Sequence, residues 1–218
     1  MMVHSSGGAM ARRGPRGGGA VKRERILRAA IRIFSQKGYF NSKISEIARL
    51  AGVADGTIYL YFKNKDDLLI SLFEEKMGEV VEDVRARVAD GGGALPRLRI
   101  FIRNHMDLLT REAGLIEVIQ VELRQSNKFM KEYVPVKFLE YLDVISGILE
   151  DGKREGVFRS DLNVTLARRA IFGALDEISL AYVLSRKRKY DPAAAAEEVY
   201  RIFAEGLAPH ATKKGEDE

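Results

Sequence analysis

The sequence predicts an all-α protein of about nine helices, and three observations support this prediction. Apolar residues recur at helical spacing along most of the chain, and no segment shows the apolar-polar alternation of a strand. Glycine and proline fall between the periodic segments, where helices are expected to end or begin. In residues 22–37 the apolar positions follow the pattern i, i+3, i+4, i+7, i+8: Ile26, Ala29, Ala30, Ile33 and Phe34.

The first three predicted helices are short and close together. The first covers residues 22–37, and Gly38 is expected as its C′ residue. A second short helix carries Ile47 and Ala48 on its apolar face, Gly52 supplies the turn, and a third helix covers about residues 55–61. Two short helices joined by such a turn match a helix-turn-helix, in which the second helix enters the major groove of DNA.

The remaining helices are longer and predict a helical body. Asn64 is a good N-cap for a fourth helix that extends to about Val88, and three glycines at 91–93 follow it. Asp161 or Asn163 is expected to open a long helix, and Asp191 followed by a proline opens the last one. The predicted ranges are about 94–111, 114–126, 128–155 with a kink near Pro135 and an end at Gly156, 161–185 and 192–207.

Charge is distributed unevenly along the chain. Residues 1–65 contain 13 Lys and Arg against three acids, a net charge of +10, whereas the other 153 residues have 23 against 28, a net charge of −5. A basic head on an acidic body is typical of a nucleic-acid-binding protein. The predicted organisation is a disordered basic arm at 1–20, a helix-turn-helix domain at 21–65, a body for ligand binding and dimerisation at 66–210, and a disordered tail at 211–218.

Composition argues against several classes of protein. Cysteine is absent, which excludes disulfides, thiolate nucleophiles and cysteine metal sites and suits a cytoplasmic location. The three histidines, His4, His105 and His210, are not spaced as metal ligands, and no nucleophile elbow or phosphate-binding glycine loop is present. No apolar run is long enough to span a bilayer. We therefore expect no enzyme activity, no metal, no cofactor and no membrane partner.

A helix-turn-helix must bury one face so that the other can reach bases. Ile47, Ala48, Val53, Ile58 and Phe62 are expected to pack inward. Thr57, Tyr59, Leu60 and Tyr61 then fall on or near the opposite face. An exposed leucine there is suited to contact with a thymine methyl group.

Residues 44–68, ISEIARLAGVADGTIYLYFKNKDDL, closely resemble the DNA-binding signature of the TetR family of transcriptional regulators. The resemblance implies a homodimer on a palindromic operator. It also places Ser45, Asp55, Gly56, Thr57, Tyr59 and Leu60 near base edges, and Lys43, Tyr61, Lys63, Lys65 and Tyr39 near phosphates. Ala54 replaces the usual Ser or Thr cap, so Asp55 is expected to cap its own helix; its alternative role is to accept a hydrogen bond from cytosine.

Three further segments resemble one subgroup of that family, the repressors of fatty-acid degradation. They are residues 70–78, 121–127 and 170–177, of which the last two lie outside the head. The resemblance implies a repressor that long-chain acyl-CoA releases from its operator. CoA phosphates require basic residues near the mouth of a channel, and the candidates are Arg124, Lys128, Lys131, Arg168 and Arg169.

An apolar cavity between the body helices is the expected ligand site, as is common in helical bundles. Its candidate lining, besides Arg124 and Lys128, is Phe101, His105, Met106, Leu109, Ile116, Ile119, Phe138, Tyr141, Leu142, Ile145, Phe172 and Asp176. The same apolar residues also suit an ordinary filled core. The last two helices are rich in small residues and predict the dimer interface, with Ala167, Ala170, Gly173, Ala174, Ala181, Ala193–Ala196, Val199, Ile202 and Phe203.

Two alternatives remain open at this point. One keeps the repressor but gives it another hydrophobic inducer, such as a drug or an aromatic compound, for the control of efflux genes. The other is an enzyme that acts on acyl-CoA and carries a DNA-binding head. A narrow channel with basic residues at its mouth favours acyl-CoA, whereas a broad aromatic cavity favours the drug.

Overall fold

The computed structural model describes residues 18–123, 133, 135–185 and 190–209. Within these ranges the chain forms nine α-helices and one π-helical turn, and no strand, so the all-α prediction is confirmed. The helices are α1 Gly18–Lys37, α2 Ile44–Ala51, α3 Asp55–Tyr59, α4 Lys65–Ala89, α5 Ala94–Arg111, α6 Ala113–Glu117, α7 Val136–Arg154, α8 Val164–Leu184 and α9 Pro192–Leu207. The π turn, Val118–Glu122, follows α6 directly.

Three expected boundaries differ from the structure. Helix α1 begins at Gly18, so the last residues of the predicted arm are helical, and residues 1–17 lie outside the described ranges. The helix predicted at 114–126 is α-helical only to Glu117 and then widens into the π turn. Pro135 is the N-cap of α7 rather than a kink inside it, because proline lacks the N–H that a helix interior requires. The predicted start at residue 128 lies outside the described residues.

The predicted caps explain where several helices begin. The side chains of Asn64, Asn163 and Asp191 each accept a hydrogen bond from a backbone N–H in the first turn of α4, α8 and α9. Such caps satisfy donors that have no partner inside the helix. Gly38 and Gly52 adopt positive φ angles of 78° and 65° after α1 and α2, which glycine does without a steric penalty.

Helix α5 lies at the centre of the body and packs against α4, α7, α8 and α9. Its residues Phe101, Ile102 and Met106 are fully buried in a hydrophobic core that continues into the head. The head consists of α1, α2 and α3 against the start of α4. Helix α1 also packs against α6, where a Cβ on Gly114 would lie only 3.4 Å from Ile31 Cγ2, so the two helices approach closely.

Candidate functional site

The inner face of the helix-turn-helix is packed as the sequence predicts. Ile47, Ala48, Ile58 and Phe62 are at most 1% exposed, and Val53 is half-buried. Helix α3 has only five residues, so its position depends on this packing rather than on its own hydrogen bonds. The buried face therefore orients the opposite face of α3 toward the exterior.

The outer face of α3 exposes large apolar side chains. Leu60 is 82% exposed and Tyr59 is 56% exposed, and Thr57 and Tyr61 are half-buried. Adjacent large apolar side chains that are exposed together are typical of an interaction face. The other DNA-binding candidates on α2, α3 and the following loop are exposed: Lys43, Ser45, Asp55, Gly56 and Lys63.

Asp55 does not cap its helix, so that expectation is wrong. The N-cap of α3 is Ala54, which has no side-chain capping bond, and Asp55 is the first helical residue. One position inside the helix, its carboxylate interacts favourably with the helix dipole without occupying the cap geometry. Its contact with a cytosine amino group stays a prediction.

Tyr39 and Lys65 stabilise the turn between α1 and α2 (residues 38–43) from inside. Tyr39 is 5% exposed, and its hydroxyl donates a hydrogen bond to Asp66 at 2.7 Å. Burial and the Asp66 carboxylate raise the pKa of Tyr39, so the phenol stays neutral. The Lys65 ammonium donates to the carbonyls of Tyr39 at 2.8 Å and Ser42 at 3.1 Å. Both residues were predicted to contact phosphates; in the structure their polar groups hold the turn, and the phosphate contacts stay predictions.

Two exposed or partly exposed side chains near α2 were missed from the sequence. Arg25 of α1 donates to the carbonyl of Ala51, at the end of α2. Phe40, within the turn between α1 and α2, is 65% exposed, which is unusual for an aromatic side chain on a solvated surface. The pattern of apolar residues along one helix reveals neither the Arg25 contact nor the exposure of Phe40, because both depend on how α1 and α2 meet.

Polar contacts fix the start of α2. Lys37 pairs with Glu46 at 2.5 Å, and the Glu46 carboxylate also accepts from the Lys43 N–H at 3.2 Å. The pKa of Glu46 is lowered, first by the Lys37 ammonium and then by the Lys43 N–H. These contacts tie the second helix of the motif to the end of α1.

In the body, five of the predicted ligand-site residues meet in one aromatic group, which we term the interior cluster. Its members are contributed by α5, α7 and α8. The ring centroids of Phe101 and Tyr141 are 4.9 Å apart, as are those of Phe138 and Phe172. His105 lies between these pairs, 6.0 Å from Tyr141 and 6.2 Å from Phe172.

A short chain of polar contacts runs through the interior cluster. His105 Nδ1 is 2.8 Å from the Tyr141 hydroxyl, and its Nε2 is 3.2 Å from Ser179 Oγ. Burial lowers the pKa of His105 to about 4, although the negative charge of Asp176 opposes this shift. The imidazole is therefore neutral near pH 7. Ser179, which is 1% exposed, was not predicted, because nothing in its own helix distinguishes it.

The other ligand-site candidates lie in different surroundings. Met106, Leu109, Ile116, Leu142 and Ile145 are buried in the core, and Ile119 is half-buried in the π turn. Asp176 accepts a hydrogen bond from Gln120 at 3.0 Å. Arg124, Lys128 and Lys131 lie outside the described residues. Arg168 pairs with Asp143 at 3.2 Å, whereas Arg169 is exposed.

Helices α8 and α9 expose an apolar face. Leu166 and Ile202 are 63% and 59% exposed, and they line a cleft of about 440 Å³ together with Phe203. The small residues Ala170, Gly173 and Ala181 of α8 are also exposed. Ala196 and Val199, which we expected at a dimer interface, are instead buried within the chain, because α9 packs that side against α5.

The carboxylates of Glu24, Glu75 and Glu79 lie within 4.8 Å of one another on α1 and α4. Arg23 pairs with Glu75, and Lys76 pairs with Glu24 at 3.1 Å and with Glu79 at 2.8 Å. Arg28 also pairs with Glu24 at 3.6 Å, so three cations balance the three carboxylates, and the pairs of Arg23 and Lys76 join α1 to α4. The arrangement is a network of ion pairs between head and body.

Both halves of the chain match known protein families. Residues 26–72 match the family described as bacterial regulatory proteins of the tetR family, and residues 73–206 match the C-terminal region of YsiA-like proteins. The chain belongs to the TetR family. The boundary between the two matches falls inside α4, so this helix is shared by the DNA-binding head and the body of this TetR protein.

Relatives with a known role resemble this TetR protein along most of its length. The fatty acid metabolism regulator protein of Bacillus subtilis is 41% identical over 182 residues, which cover 84% of this chain and 93% of the relative. Two solved structures agree in fold. FadR of Bacillus subtilis in complex with stearoyl-CoA has a TM-score of 0.79 and 40% identity, and FadR of Bacillus halodurans has a TM-score of 0.78 and 39% identity. Each match covers 84% of this chain and 98% of the other.

Among the helices in the described ranges, none combines the length and apolar character that crossing a lipid bilayer requires.

Proposed function

We propose that this TetR-family protein represses genes of fatty-acid degradation and is released from its operator by long-chain acyl-CoA. The observation that carries the proposal is similarity over the body as well as the head. The relative that regulates fatty acid metabolism is 41% identical across 84% of this chain. Identity confined to the head would support DNA binding alone, because the body is where a ligand is recognised.

The body of this chain suits an acyl tail. Aromatic and aliphatic side chains from α5, α7 and α8 fill its interior, and the polar groups of His105, Tyr141 and Ser179 there are hydrogen-bonded to one another. Apolar ligand surface is stabilised by transfer into such an interior at about 25 cal/mol per Å². A solved relative that is 40% identical holds stearoyl-CoA, which supports the same class of ligand here.

The proposal includes a homodimer through α8 and α9. The exposed apolar face around Leu166, Ile202 and Phe203 supports it, since such a face is unfavourable in water. A two-fold dimer presents two α3 helices, which suits a palindrome with half-sites about 34–36 Å apart. Arg124 and Lys128 stay candidates for the CoA phosphates, and the DNA-binding residues inferred from the resemblance stay proposals.

Helix α4 is the natural route from ligand to DNA. Its first turn holds the head through Lys65 and Asp66, and its later turns pack against α5 and α7. A ligand between the body helices would move α4 and change the spacing of the two α3 helices. A coupling free energy of about 1–3 kcal/mol, or about 5- to 150-fold in operator affinity, is typical of such a link.

The test is an anisotropy titration on a duplex that the protein selects from a random pool, with and without stearoyl-CoA. We expect operator affinity to fall at least about 5-fold when stearoyl-CoA is present. Tyr59→Ala is the matched control for base reading and should lose the preference for the selected duplex. Unchanged operator affinity at saturating stearoyl-CoA would contradict the proposal.

The aromatic side chains of the interior cluster favour one alternative, a repressor that binds a planar aromatic compound. The same titration with free aromatic probes separates the two, because release by these probes and not by stearoyl-CoA would favour the alternative.

An enzyme that acts on acyl-CoA is tested by mass analysis after incubation, and we expect the thioester to stay intact.

A further inference from the structure

The π turn between α6 and the following segment carries two buried polar side chains. Gln120 is 5% exposed and Glu122 is 7% exposed. A π-helical turn holds its residues in a less favourable hydrogen-bond pattern than an α-helix, and such turns occur frequently at functional sites. A turn of this kind with two buried polar groups is costly to keep unless those groups have partners.

Glu122 contacts the head. Its carboxylate accepts a hydrogen bond from the backbone N–H of Tyr39 at 2.5 Å, across 83 residues of sequence. Gly38 lies directly against the same carboxylate, and a Cβ at that position would be only 3.4 Å from Glu122 Oε2. The body thus reaches the first residues of the α1–α2 turn through one side chain.

Gln120 contacts the ligand-binding part of the body. Its amide donates to Asp176 on α8 at 3.0 Å, and the charge of Asp176 acts on His105 in the interior cluster. Ile119, a candidate ligand contact, directly precedes Gln120 in the π turn and is half-buried. The π turn therefore joins the interior cluster on one side to the head on the other.

The turn that Glu122 contacts also determines where α2 begins. The Tyr39 carbonyl accepts from Lys65 at 2.8 Å, and Ser42 Oγ donates to the Gly38 carbonyl at 2.6 Å. Helix α2 starts at Ile44, directly after this turn, and α3 packs on α2. A displacement of the turn is therefore transmitted to the helix that reads DNA.

We infer that Glu122 is a positioning residue that couples ligand binding in the body to the orientation of the DNA-binding head. Ligand against Ile119 repacks the π turn and withdraws the Glu122 carboxylate from the Tyr39 N–H. The α1–α2 turn then loses its contact with the body, and α2 and α3 change their position. This inference rests on the proposed function, because it needs a ligand in the body and an operator on the head.

The first experiment measures coupling rather than affinity. For each variant, the operator Kd with saturating stearoyl-CoA is divided by the Kd without it, on the duplex selected by the wild-type protein. Glu122→Gln removes the charge that strengthens the bond to Tyr39. We expect this ratio to fall from the wild-type value to below about 3-fold, while the stearoyl-CoA Kd in the absence of DNA changes less than about 3-fold.

Glu117→Gln is the matched control. Glu117 is half-buried in α6, five residues before Glu122, and the variant removes a carboxylate that acts on Glu122 electrostatically while it keeps the bond from Tyr39 to Glu122. Its ratio should equal that of the wild type. A fall of the ratio in Glu117→Gln equal to that in Glu122→Gln would assign the effect to local charge and overturn the inference.

A second experiment uses the wild-type chain and does not depend on the folding of any variant. Hydrogen exchange is followed in the peptide that contains Tyr39, with and without stearoyl-CoA. If ligand withdraws Glu122, this N–H loses its acceptor, so we expect it to exchange at least about 3-fold faster. Unchanged exchange in a protein that stearoyl-CoA releases from DNA would overturn the inference.

The two proposals fail in different ways. If stearoyl-CoA does not change operator affinity of the wild-type protein, the proposed function is wrong and no coupling residue is needed. If the wild type responds and Glu122→Gln responds equally, the proposed function stands and the role of Glu122 is wrong. A variant with a lower melting temperature and an unchanged ratio also counts against the inference, because a purely structural role gives that result.

Discussion

The candidate functional residues of the head and of the body differ in how exposed they are to solvent. The head exposes its candidate DNA-binding residues, with Leu60 82% exposed at the end of α3, and packs apolar residues such as Ile58 and Phe62 behind them. The body buries its candidate ligand-binding residues, with Tyr141 2% exposed beside the half-buried His105. Substitutions in the two regions should therefore act differently. Outer-face changes in the head alter affinity for DNA, whereas interior changes in the body alter stability first.

The strongest test of this contrast is a tight contact in the body. Gly152 of α7 lies against the ring of Phe158, and a Cβ at Gly152 would overlap that ring. We expect Gly152→Ala to lower the free energy of unfolding by about 3 kcal/mol, because overpacking forces the ring or the backbone to move. Urea unfolding measures this loss, and the selected-duplex Kd of the remaining folded protein should stay within about 3-fold.

Gly147 on the same helix is the matched control. A Cβ there would have no neighbour within 4 Å, so Gly147→Ala adds helix propensity without a clash. This variant should be more stable than the wild type by about 0.5–1 kcal/mol. Equal unfolding free energies for the two variants would show that the Phe158 contact is not tight.

The second test uses pH. The folded pKa of His105 is about 4, below its ordinary value of 6.5, so the unfolded chain binds more protons between these values. Stability contributed by the neutral imidazole is present above pH 6.5 and is lost as pH falls toward 4. Between pH 7 and pH 5 we expect this group to cost about 2 kcal/mol.

His105→Gln isolates this contribution. Urea unfolding of both proteins at pH 7 and pH 5 gives the difference, and titrating groups shared by the two proteins cancel. The wild type should lose about 2 kcal/mol more than the variant over this range. Parallel losses in the two proteins would mean that the His105 side chain titrates normally.

The smallest expected effect comes from comparing two lysines of the head, one exposed and one bonded to backbone carbonyls. Lys63 is exposed, whereas the Lys65 ammonium donates to the carbonyls of Tyr39 and Ser42. Lys65→Ala should lower the free energy of unfolding by about 1 kcal/mol, because it leaves those carbonyls without this donor. Lys63→Ala should keep the stability and reduce the salt dependence of DNA binding by about 0.9 in the log–log slope.

Thermal or urea unfolding and a salt series of DNA titrations check this pair. A salt slope that Lys63→Ala leaves unchanged would remove Lys63 from the phosphate contacts. Equal stability of the two variants would contradict the structural role of Lys65.

Much of the head was predictable because its determinants are local. The positive φ of Gly38 and Gly52 and the inward phase of Ile47 and Ile58 follow from neighbours within one or two helical turns. Asp55 shows the limit of local reasoning. Its type suits a cap, but the N-cap of α3 is Ala54, one residue earlier, and Asp55 is the first helical residue; which of the two takes the cap depends on the backbone path out of the Gly52 turn.

In the body, the sequence predicted which residues are candidates for the ligand site, but not the contacts that these residues make with one another. Periodicity indicates which side of α5 is apolar, and Phe101, Met106 and Leu109 are buried as expected. It does not indicate that His105 bonds to Ser179, 74 residues away, or that α9 buries Ala196 within the chain. These depend on how helices cross, which sequence spacing alone does not specify.

By itself, the sequence determined the all-α class, the helix-turn-helix, most helix ends and the family resemblance, because each depends on residues close together in the chain. Only the tertiary structure decided that Glu122 bonds to Tyr39 across 83 residues, and that His105 meets Tyr141 across 36. The physical reason is that a buried polar group needs a partner, while its own helix does not determine which distant element supplies one.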